Sequence, residues 1–193
     1  MPVLALALAY LLGGIPFGFL LVKWTSGKDV REAGSGNIGA ANVYRTAGPW
    51  IGLATLVLDA AKGLLAVWLA DRLTGGDLLW MSAAALAAIA GHAFPPFLRF
   101  RGGKAVATFF GAYFYLAPQA LLAVIVVFLV MTAWTRHVSL GSITAAGTLP
   151  FAVWLILHPP LPLVLAAVAG GAFVVYRHSA NIQRLREGTE SRI

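Results

Sequence analysis

The chain has 193 residues, of which 60% are hydrophobic and only 11% are charged, and its mean hydropathy is +0.83. Soluble domains carry about 45–50% apolar and about 25% charged residues, and one of this length could not bury so much apolar side chain. The composition excludes a soluble globular protein. It predicts an all-α integral membrane protein that forms a single transmembrane domain over residues 1–193.

Two further features of the composition exclude classes of site. The chain contains no cysteine, which rules out disulfides, thiolate metal sites and cysteine nucleophiles. Its net charge of +7 would suit nucleic acid in a soluble protein. In a membrane protein, the concentration of Lys and Arg in cytoplasmic loops accounts for this charge. We therefore expect neither a metal site nor a nucleic-acid partner.

Seven apolar segments are candidates for membrane helices, since a span needs about 20 apolar residues. The first has no basic residues ahead of it, so it is interpreted as a retained helix and not as a cleaved signal peptide. Gly13, Gly14 and Pro16 predict a bend in it. The segments are 2–22, 49–70, 78–97, 104–117, 118–135, 138–157 and 160–176.

The number of spans depends on residues 104–135, which are too long for one span and contain Pro118. If Pro118 separates two helices, twelve of the 14 Lys and Arg residues lie on one side of the membrane. One kinked helix would divide them almost equally, so the positive-inside rule favours two. The prediction is seven transmembrane helices, with 104–117 short or partial, the N-terminus outside and the C-terminus in the cytoplasm.

The first polar segment is GSGNIG at 34–39, followed by Asn42 and Arg45. It matches the dinucleotide pattern G-x-G-x-x-G, but it lies between membrane helices and not in a βαβ unit, which excludes that interpretation. Small residues that admit an anion to the backbone, a serine hydroxyl and an arginine still suit phosphate. An ordinary Gly/Ser/Asn turn is the alternative.

The second polar segment, GHAFPPFLRFRGGK at 91–104, runs into a predicted helix. Gly-Gly-Lys at 102–104 predicts a phosphate cradle, because free N–H groups and the helix dipole attract anions at a helix start. It is not a Walker A loop, since Leu98 and Ala105 replace the glycine and the Ser/Thr required there. The alternative is a basic cytoplasmic turn, with His92 a structural histidine.

The third polar segment is HSANIQRLREGTE at 178–190. His178 and Asn181 are three residues apart, so they would share one face if the last membrane helix continued. A basic stub attracted to anionic lipid headgroups is the alternative. Asp59 and Lys62, also three apart but inside a span, can pair with each other, either for function or to fix helix packing. We assign them no chemistry from sequence.

Together, the three segments resemble the three signature motifs of the bacterial acyl-phosphate-dependent glycerol-3-phosphate acyltransferases. The chain departs from the family pattern at Ile38, Ala41, Arg101 and Ala105, where proline, threonine, lysine and glycine are usual. Of these four departures, only the one at Ala41 removes a polar group, the threonine hydroxyl. The matching segments are GSGNIGAANVYR at 34–45, GHAFPPFLRFRGGKAVAT at 91–108 and HSANIQRLREGTE at 178–190, with DAAKG at 59–63 a further similarity.

The resemblance implies transfer of a fatty acyl group from acyl phosphate to the 1-hydroxyl of sn-glycerol 3-phosphate. The products are lysophosphatidic acid and phosphate, in the first acylation of bacterial phospholipid synthesis. It implies a multi-pass protein of the bacterial cytoplasmic (inner) membrane whose active site faces the cytoplasm. No cofactor is expected, because acyl phosphate is already an activated anhydride. The further partners expected are the lipid bilayer and the enzyme that makes acyl phosphate.

The family motifs also imply which residues act. No histidine is followed five residues later by aspartate, so the His-x-x-x-x-Asp dyad of other acyltransferases is excluded. Either His178 is the general base or, as we favour, a substrate phosphate oxygen takes the proton. The catalytic set is Ser35, Arg45, Lys104, His178 and Asn181. The substrate-binding set is Ser35, Gly36, Asn37, Asn42, Arg45, His92, Arg101, Gly102, Gly103, Lys104, Thr108, His178 and Asn181.

A transporter for a small phosphorylated solute is the main alternative function, because interrupted helices and charges inside the membrane are typical of transporters. Against it, the sequence has no internal repeat, and the phosphate-binding candidates lie on one face and not at the midplane. A non-catalytic scaffold would leave the three polar loops unexplained.

Overall fold

In the computed structural model, which describes residues 1–192, the chain is all-helical and these residues form no β-strand. It divides into two compact units, one spanning Met1–Tyr115 and one beginning at Leu116. Two short 3-10 turns, Val30–Glu32 and Pro96–Leu98, lie in the polar loops. The α-helices are α1 (Pro2–Gly14), α2 (Phe17–Ser26), α3 (Ala40–Ala47), α4 (Pro49–Thr74), α5 (Leu78–Ala93), α6 (Val106–Leu116), α7 (Pro118–Thr135), α8 (Val138–Leu157), α9 (Leu161–Arg177) and α10 (Ser179–Arg186).

The described residues contain five helical segments that are long and apolar enough to cross a membrane. The pair α9 and α10 makes a sixth if it counts as one span, although its two parts are bent by 55°. Helix α6 has 11 residues, or about 16 Å, which is too short to cross alone. The five segments are Pro2–Ser26, Pro49–Thr74, Leu78–Leu98, Pro118–Thr135 and Val138–Leu157.

Two interruptions expected from sequence are present. The first span is broken between α1 and α2 at Ile15 and Pro16, beside the glycines that predicted a bend. Pro118 begins α7 and so separates it from α6. Proline favours a helix start because it has no N–H to donate and its φ is already helical. The division of 104–135 into two helices is therefore confirmed.

In the first unit, helices approach closely because the residues between them are small. Gly63 on α4 faces the backbone of Thr108, and Gly111 on α6 faces the carbonyl of Ala60. Small residues at such interfaces let membrane helices pack by direct backbone contact. Between α1, α4 and α5 the core is made almost entirely of alanine: Ala5, Ala9, Ala66, Ala70, Ala84 and Ala88 are all buried.

We expect Gly111→Ala to lower the melting temperature of the detergent-solubilised protein, because the added Cβ would overlap the carbonyl oxygen of Ala60. Overpacking of this kind costs about 1–3 kcal/mol. Gly147→Ala is the matched control, since a Cβ on that helical glycine meets no atom within 4 Å. Equal melting temperatures for the two variants would show that α4 and α6 do not depend on this contact.

Candidate active site

The first polar loop (27–39) is folded around the side chain of Asn42, which lies in the first turn of α3 and is 2% exposed. Its Oδ1 accepts a hydrogen bond from the Ser35 N–H at 2.8 Å. Its Nδ2 donates to three carbonyl oxygens of the loop, at 2.8 to 3.2 Å. One buried amide thus satisfies four backbone groups, which gives Asn42 a role in holding the loop that the sequence did not predict.

At the exposed end of this loop, Ser35 lies beside Arg45 of α3. Arg45, one turn after Asn42 on α3, donates from Nη2 to Ser35 Oγ at 3.5 Å. Gly34 and Gly36 flank the serine with φ of +58° and +68°, a backbone region that favours glycine. A guanidinium and a hydroxyl at one point of a rigid loop are donors suited to phosphate oxygens.

Asn37 lies at the end of the loop, and its side chain acts locally. Its Oδ1 accepts a hydrogen bond from the Gly39 N–H at 2.8 Å, directly before α3 begins. Such a contact is an Asx turn, which fixes the entry of the chain into the helix. The turn at Gly36 and Asn37 therefore sets the direction in which α3 carries Arg45.

The second polar loop (94–105) folds back onto the end of α5. The N–H groups of Gly102 and Gly103 donate to the last two carbonyl oxygens of α5, both at 3.1 Å. Helix α6 begins at Val106, so the predicted helix start at Lys104 is wrong by two residues. The predicted cradle of free N–H groups is also wrong for these two glycines, because their N–H groups are already used.

Contact with His92 explains the two glycines instead. A Cβ on Gly102 would overlap the carbonyl oxygen of His92, and a Cβ on Gly103 would overlap its Nε2. His92 is buried, and its Nδ1 lies 3.4 Å from the hydroxyl of the buried Thr108 on α6. His92 thus packs directly against the Gly102–Gly103 turn, and Thr108 contacts the other side of the His92 ring.

The same loop contains backbone strain next to the basic side chains of Arg101 and Lys104. Arg99, Phe100 and Ala105 have φ of 53°, 61° and 62°, in the left-handed region that non-glycine residues rarely occupy. Such strain persists only where the surrounding structure holds it, and it is concentrated at functional sites. It sets the backbone around Arg101, which is exposed, and Lys104, which is half-buried.

The third polar segment lies in the second unit, where α9 ends at Arg177 and the chain bends at His178 into α10. The chain is helical again from Ser179, but it is bent by 55° relative to α9. His178 and Asn181 are both buried, at 3% and 5% exposure. His178 Nδ1 lies 2.7 Å from the Val174 carbonyl oxygen. A carbonyl can only accept, so Nδ1 carries the proton and Nε2 is the basic nitrogen of the neutral ring.

Glu190 holds the end of this segment, and sequence analysis did not single it out. Its carboxylate accepts hydrogen bonds from Asn181 Nδ2 and, at 2.7 Å, from Arg184 Nε. Burial by itself raises the pKa of Glu190, but contacts with Ser139, Asn181 and Arg184 outweigh it and hold the pKa below its usual value. In the sequence, the only indication of this role is that Glu190 lies at the end of the basic third segment.

The Glu190 contacts predict a pH-dependent tail. A carboxyl whose pKa is lower folded than unfolded adds stability above the unfolded pKa of about 4.3, and that stability is lost as pH falls through the folded pKa. In hydrogen-exchange mass spectrometry, we expect peptides of 184–192 to exchange faster in the wild type as pH falls from about 5 to about 3, after correction for the intrinsic rate. Glu190→Gln should exchange fast throughout. Parallel profiles for the two proteins would contradict this role.

The fold and these loops define an integral membrane protein of apolar helices whose polar loops carry phosphate-type donors. Among residues 1–192, no group of three or more His, Cys, Asp and Glu is placed to hold a metal ion. Residues 3–188 match the family model described as glycerol-3-phosphate acyltransferase. The chain therefore belongs to the glycerol-3-phosphate acyltransferase family, as the three motifs predicted.

Individual relatives agree with this assignment. The glycerol-3-phosphate acyltransferase of Geotalea daltonii is 48% identical over 183 residues, which cover 95% of this chain and 93% of that protein. That of Geobacter sulfurreducens is 46% identical, with coverage of 96% and 94%. The crystal structure of PlsY, an integral membrane glycerol 3-phosphate acyltransferase, in its glycerol 3-phosphate form is 38% identical, with a TM-score of 0.94 and coverage of 100% and 95%. Its lysophosphatidic acid form is 36% identical, with a TM-score of 0.91 and the same coverage.

Proposed function

We infer that this protein transfers a fatty acyl group from acyl phosphate to the 1-hydroxyl of sn-glycerol 3-phosphate, releasing lysophosphatidic acid and phosphate. Membership of the family supports glycerol 3-phosphate as the acceptor. The observation that carries the site is the exposed Ser35–Arg45 pair on a loop held by Asn42. Acyl phosphate as the donor rests on the resemblance of the three motifs to the acyl-phosphate-dependent enzymes.

The basic side chains suit the two phosphate groups that this reaction brings together. Arg45 offers a planar pair of donors that can bind two phosphate oxygens at once, with Ser35 beside it. Lys104 and Arg101 offer further positive charge from the strained second loop. We propose that these four side chains bind the phosphates, and that His178 and Asn181 also act in the reaction, as the family motifs imply.

In the proposed reaction, the 1-hydroxyl oxygen attacks the acyl carbonyl carbon, and the bond from that carbon to the phosphate oxygen breaks. The hydroxyl proton passes to a phosphate oxygen of the substrates, and inorganic phosphate leaves. The protein then contributes mainly by orienting the reactants and stabilising negative charge. The alternative base is His178, whose hydrogen bond to Val174 leaves Nε2 as the nitrogen that accepts a proton.

A groove between α8 and α9 supports a substrate with a long apolar chain. It has a volume of about 730 Å³, and its walls include Phe151, Trp154, Val168 and Tyr176. From Val164 to Tyr176 it follows α9 for about 18 Å and ends beside the third polar segment. We propose that the acyl chain of the donor enters this groove from the bilayer.

We propose that the protein lies in the bacterial cytoplasmic membrane with seven membrane-embedded helices, of which α6 is the partial one. The N-terminus would then be outside, and the three polar segments would face the cytoplasm. The distribution of Lys and Arg supports this orientation. The same face would be open to an enzyme that delivers acyl phosphate.

A donor comparison tests the proposed reaction. Purified protein is given glycerol 3-phosphate with acyl phosphate, acyl-CoA or acyl carrier protein thioester, without added metal. We expect lysophosphatidic acid only with acyl phosphate, because its phosphate is a ready leaving group. Activity with a thioester alone would overturn the donor assignment, and no product with any donor would overturn the function.

A further inference from the structure

Two charged side chains are buried inside the first unit, away from the exposed Ser35–Arg45 pair. Asp59 and Lys62 lie one turn apart on α4, both 2% exposed, with Lys62 Nζ 2.8 Å from Asp59 Oδ1. They occupy the middle of an apolar helix long enough to cross the membrane. Charged groups in such helices are costly, so a buried pair calls for a role that apolar residues could not fill.

Lys62 connects α4 to the break in the first span. Its Nζ donates to the carbonyl oxygen of Ile15 at 2.7 Å, and it lies 5.7 Å from the centre of the Phe17 ring. Ile15 lies between α1 and α2, next to Pro16, which interrupts the helical hydrogen bonding. The lysine therefore supplies a donor to a carbonyl at this break, and Asp59 balances its charge.

Asp59 connects the same helix to His92. Its Oδ1 lies 3.7 Å from His92 Nδ1 at the end of α5, a distance of electrostatic contact and longer than a hydrogen bond. The carboxylate and the Thr108 hydroxyl both face Nδ1, so the opposite nitrogen, Nε2, faces Gly103. The negative charge thus favours the ring orientation that places Nε2 under the turn.

The contacts continue from His92 to the second polar loop. The His92 carbonyl accepts the Gly103 N–H at 3.1 Å, and there is no room for a side chain at Gly102 or Gly103 above it. Lys104 follows directly in the chain. A shift of His92 would therefore displace the turn that presents Lys104.

We propose that Asp59 and Lys62 are positioning residues for acyl transfer: they hold His92 beneath the Gly102–Gly103 turn and thereby fix Lys104 for phosphate binding. The inference rests on the proposed function of Lys104. It differs from a purely structural role, in which the pair would only join α4 to the break in the first span.

The test removes both charges together, since removing one would leave the other buried without a partner. The variant Asp59→Asn/Lys62→Met keeps similar side-chain volumes and is neutral. Thr55→Val is the matched control, because Thr55 is buried on the same helix and its hydroxyl bonds only to its own helix, at Ile51. Each protein is measured for melting temperature, for kcat/KM toward glycerol 3-phosphate, and for hydrogen exchange of peptides that cover 101–105.

We expect the double variant to melt close to the control. Its kcat/KM should fall by about 10- to 100-fold, the effect of losing a group that orients a site without contacting the substrate. Its Gly102 and Gly103 amides should exchange faster than those of the wild type. If the double variant kept the wild-type kcat/KM and the wild-type exchange at 101–105, the proposal would be overturned, and the pair would have only a structural role. If the double variant melts early, exchange that rises equally throughout α1 to α5 would also overturn it. If the wild type itself made no lysophosphatidic acid, the proposed function would fail, while exchange at 101–105 would still decide whether the pair holds the turn.

Discussion

Replacing Arg45 or Lys104 by alanine is expected to lower kcat/KM for acyl transfer by about 100- to 1,000-fold, the effect of removing one strong donor to developing negative charge. Melting temperatures should stay at the wild-type value for Arg45→Ala, because the side chain is exposed and its contact with Ser35 Oγ is long, at 3.5 Å. The measurement is initial rate against glycerol 3-phosphate concentration for each purified variant.

Two further variants separate site chemistry from general charge. Arg45→Lys keeps the charge but loses the planar pair of donors, so it should recover only part of the rate. Lys28→Ala removes an exposed cation from the same unit, outside the proposed site, and should turn over normally. Normal turnover in Arg45→Ala or Lys104→Ala would remove that residue from the active site, whatever the fate of the family assignment.

Asn42→Ala is expected to abolish most activity although Asn42 is buried. The substitution removes the hydrogen bonds that Asn42 makes to the Ser35 N–H and to three loop carbonyls. The carbonyls of Val30 and Ala33 keep a backbone partner, whereas the Ser35 N–H and the Asn37 carbonyl lose theirs. An unsatisfied buried polar group costs about 1–3 kcal/mol, and the loop can avoid that cost only by opening to water. The expected readouts are a lost rate and rapid hydrogen exchange across 30–38, with much less change in α4 and α5.

A neighbouring substitution gives the control for Asn42. Thr46→Val, one turn later on α3, removes only a bond from the threonine hydroxyl to the Asn42 carbonyl within the helix. It should leave both the loop and the rate intact. If Asn42→Ala kept the wild-type exchange pattern but lost activity, Asn42 would contact substrate directly, as the family resemblance first implied.

Several elements followed from local sequence. The apolar segments predicted both ends of α7 and α8 and the start of α4, because a membrane helix needs an unbroken apolar run. Helix α4 continues past the predicted end at residue 70 to Thr74. Pro16 and Pro118 marked real interruptions, because proline removes a hydrogen-bond donor wherever it falls. The seven-span count and its orientation remain predictions, since the 11-residue α6 is too short to cross a membrane alone.

The errors arose where distant residues compete for the same backbone groups. Gly102 and Gly103 suggested a helix start, yet their N–H groups bond to the end of α5, and α6 begins only after the left-handed Ala105. The chain is also helical again after His178, with a 55° bend that could not be predicted from the sequence. No local sequence pattern predicts which hydrogen-bond partner a backbone group takes, because the competing partners lie elsewhere in the folded chain.

The amino-acid sequence by itself determined that the chain forms membrane helices, where proline interrupts them, and which polar segments mark the family. These properties depend on composition and on neighbours in the chain. Only the tertiary structure decided that Asn42 holds the first loop, that His92 lies under Gly103, and that Asp59 faces His92 across two helices. Those contacts do not follow the spacing of a helix or a strand, and the last of them joins two helices, so they exist only once the loops and helices have folded against one another.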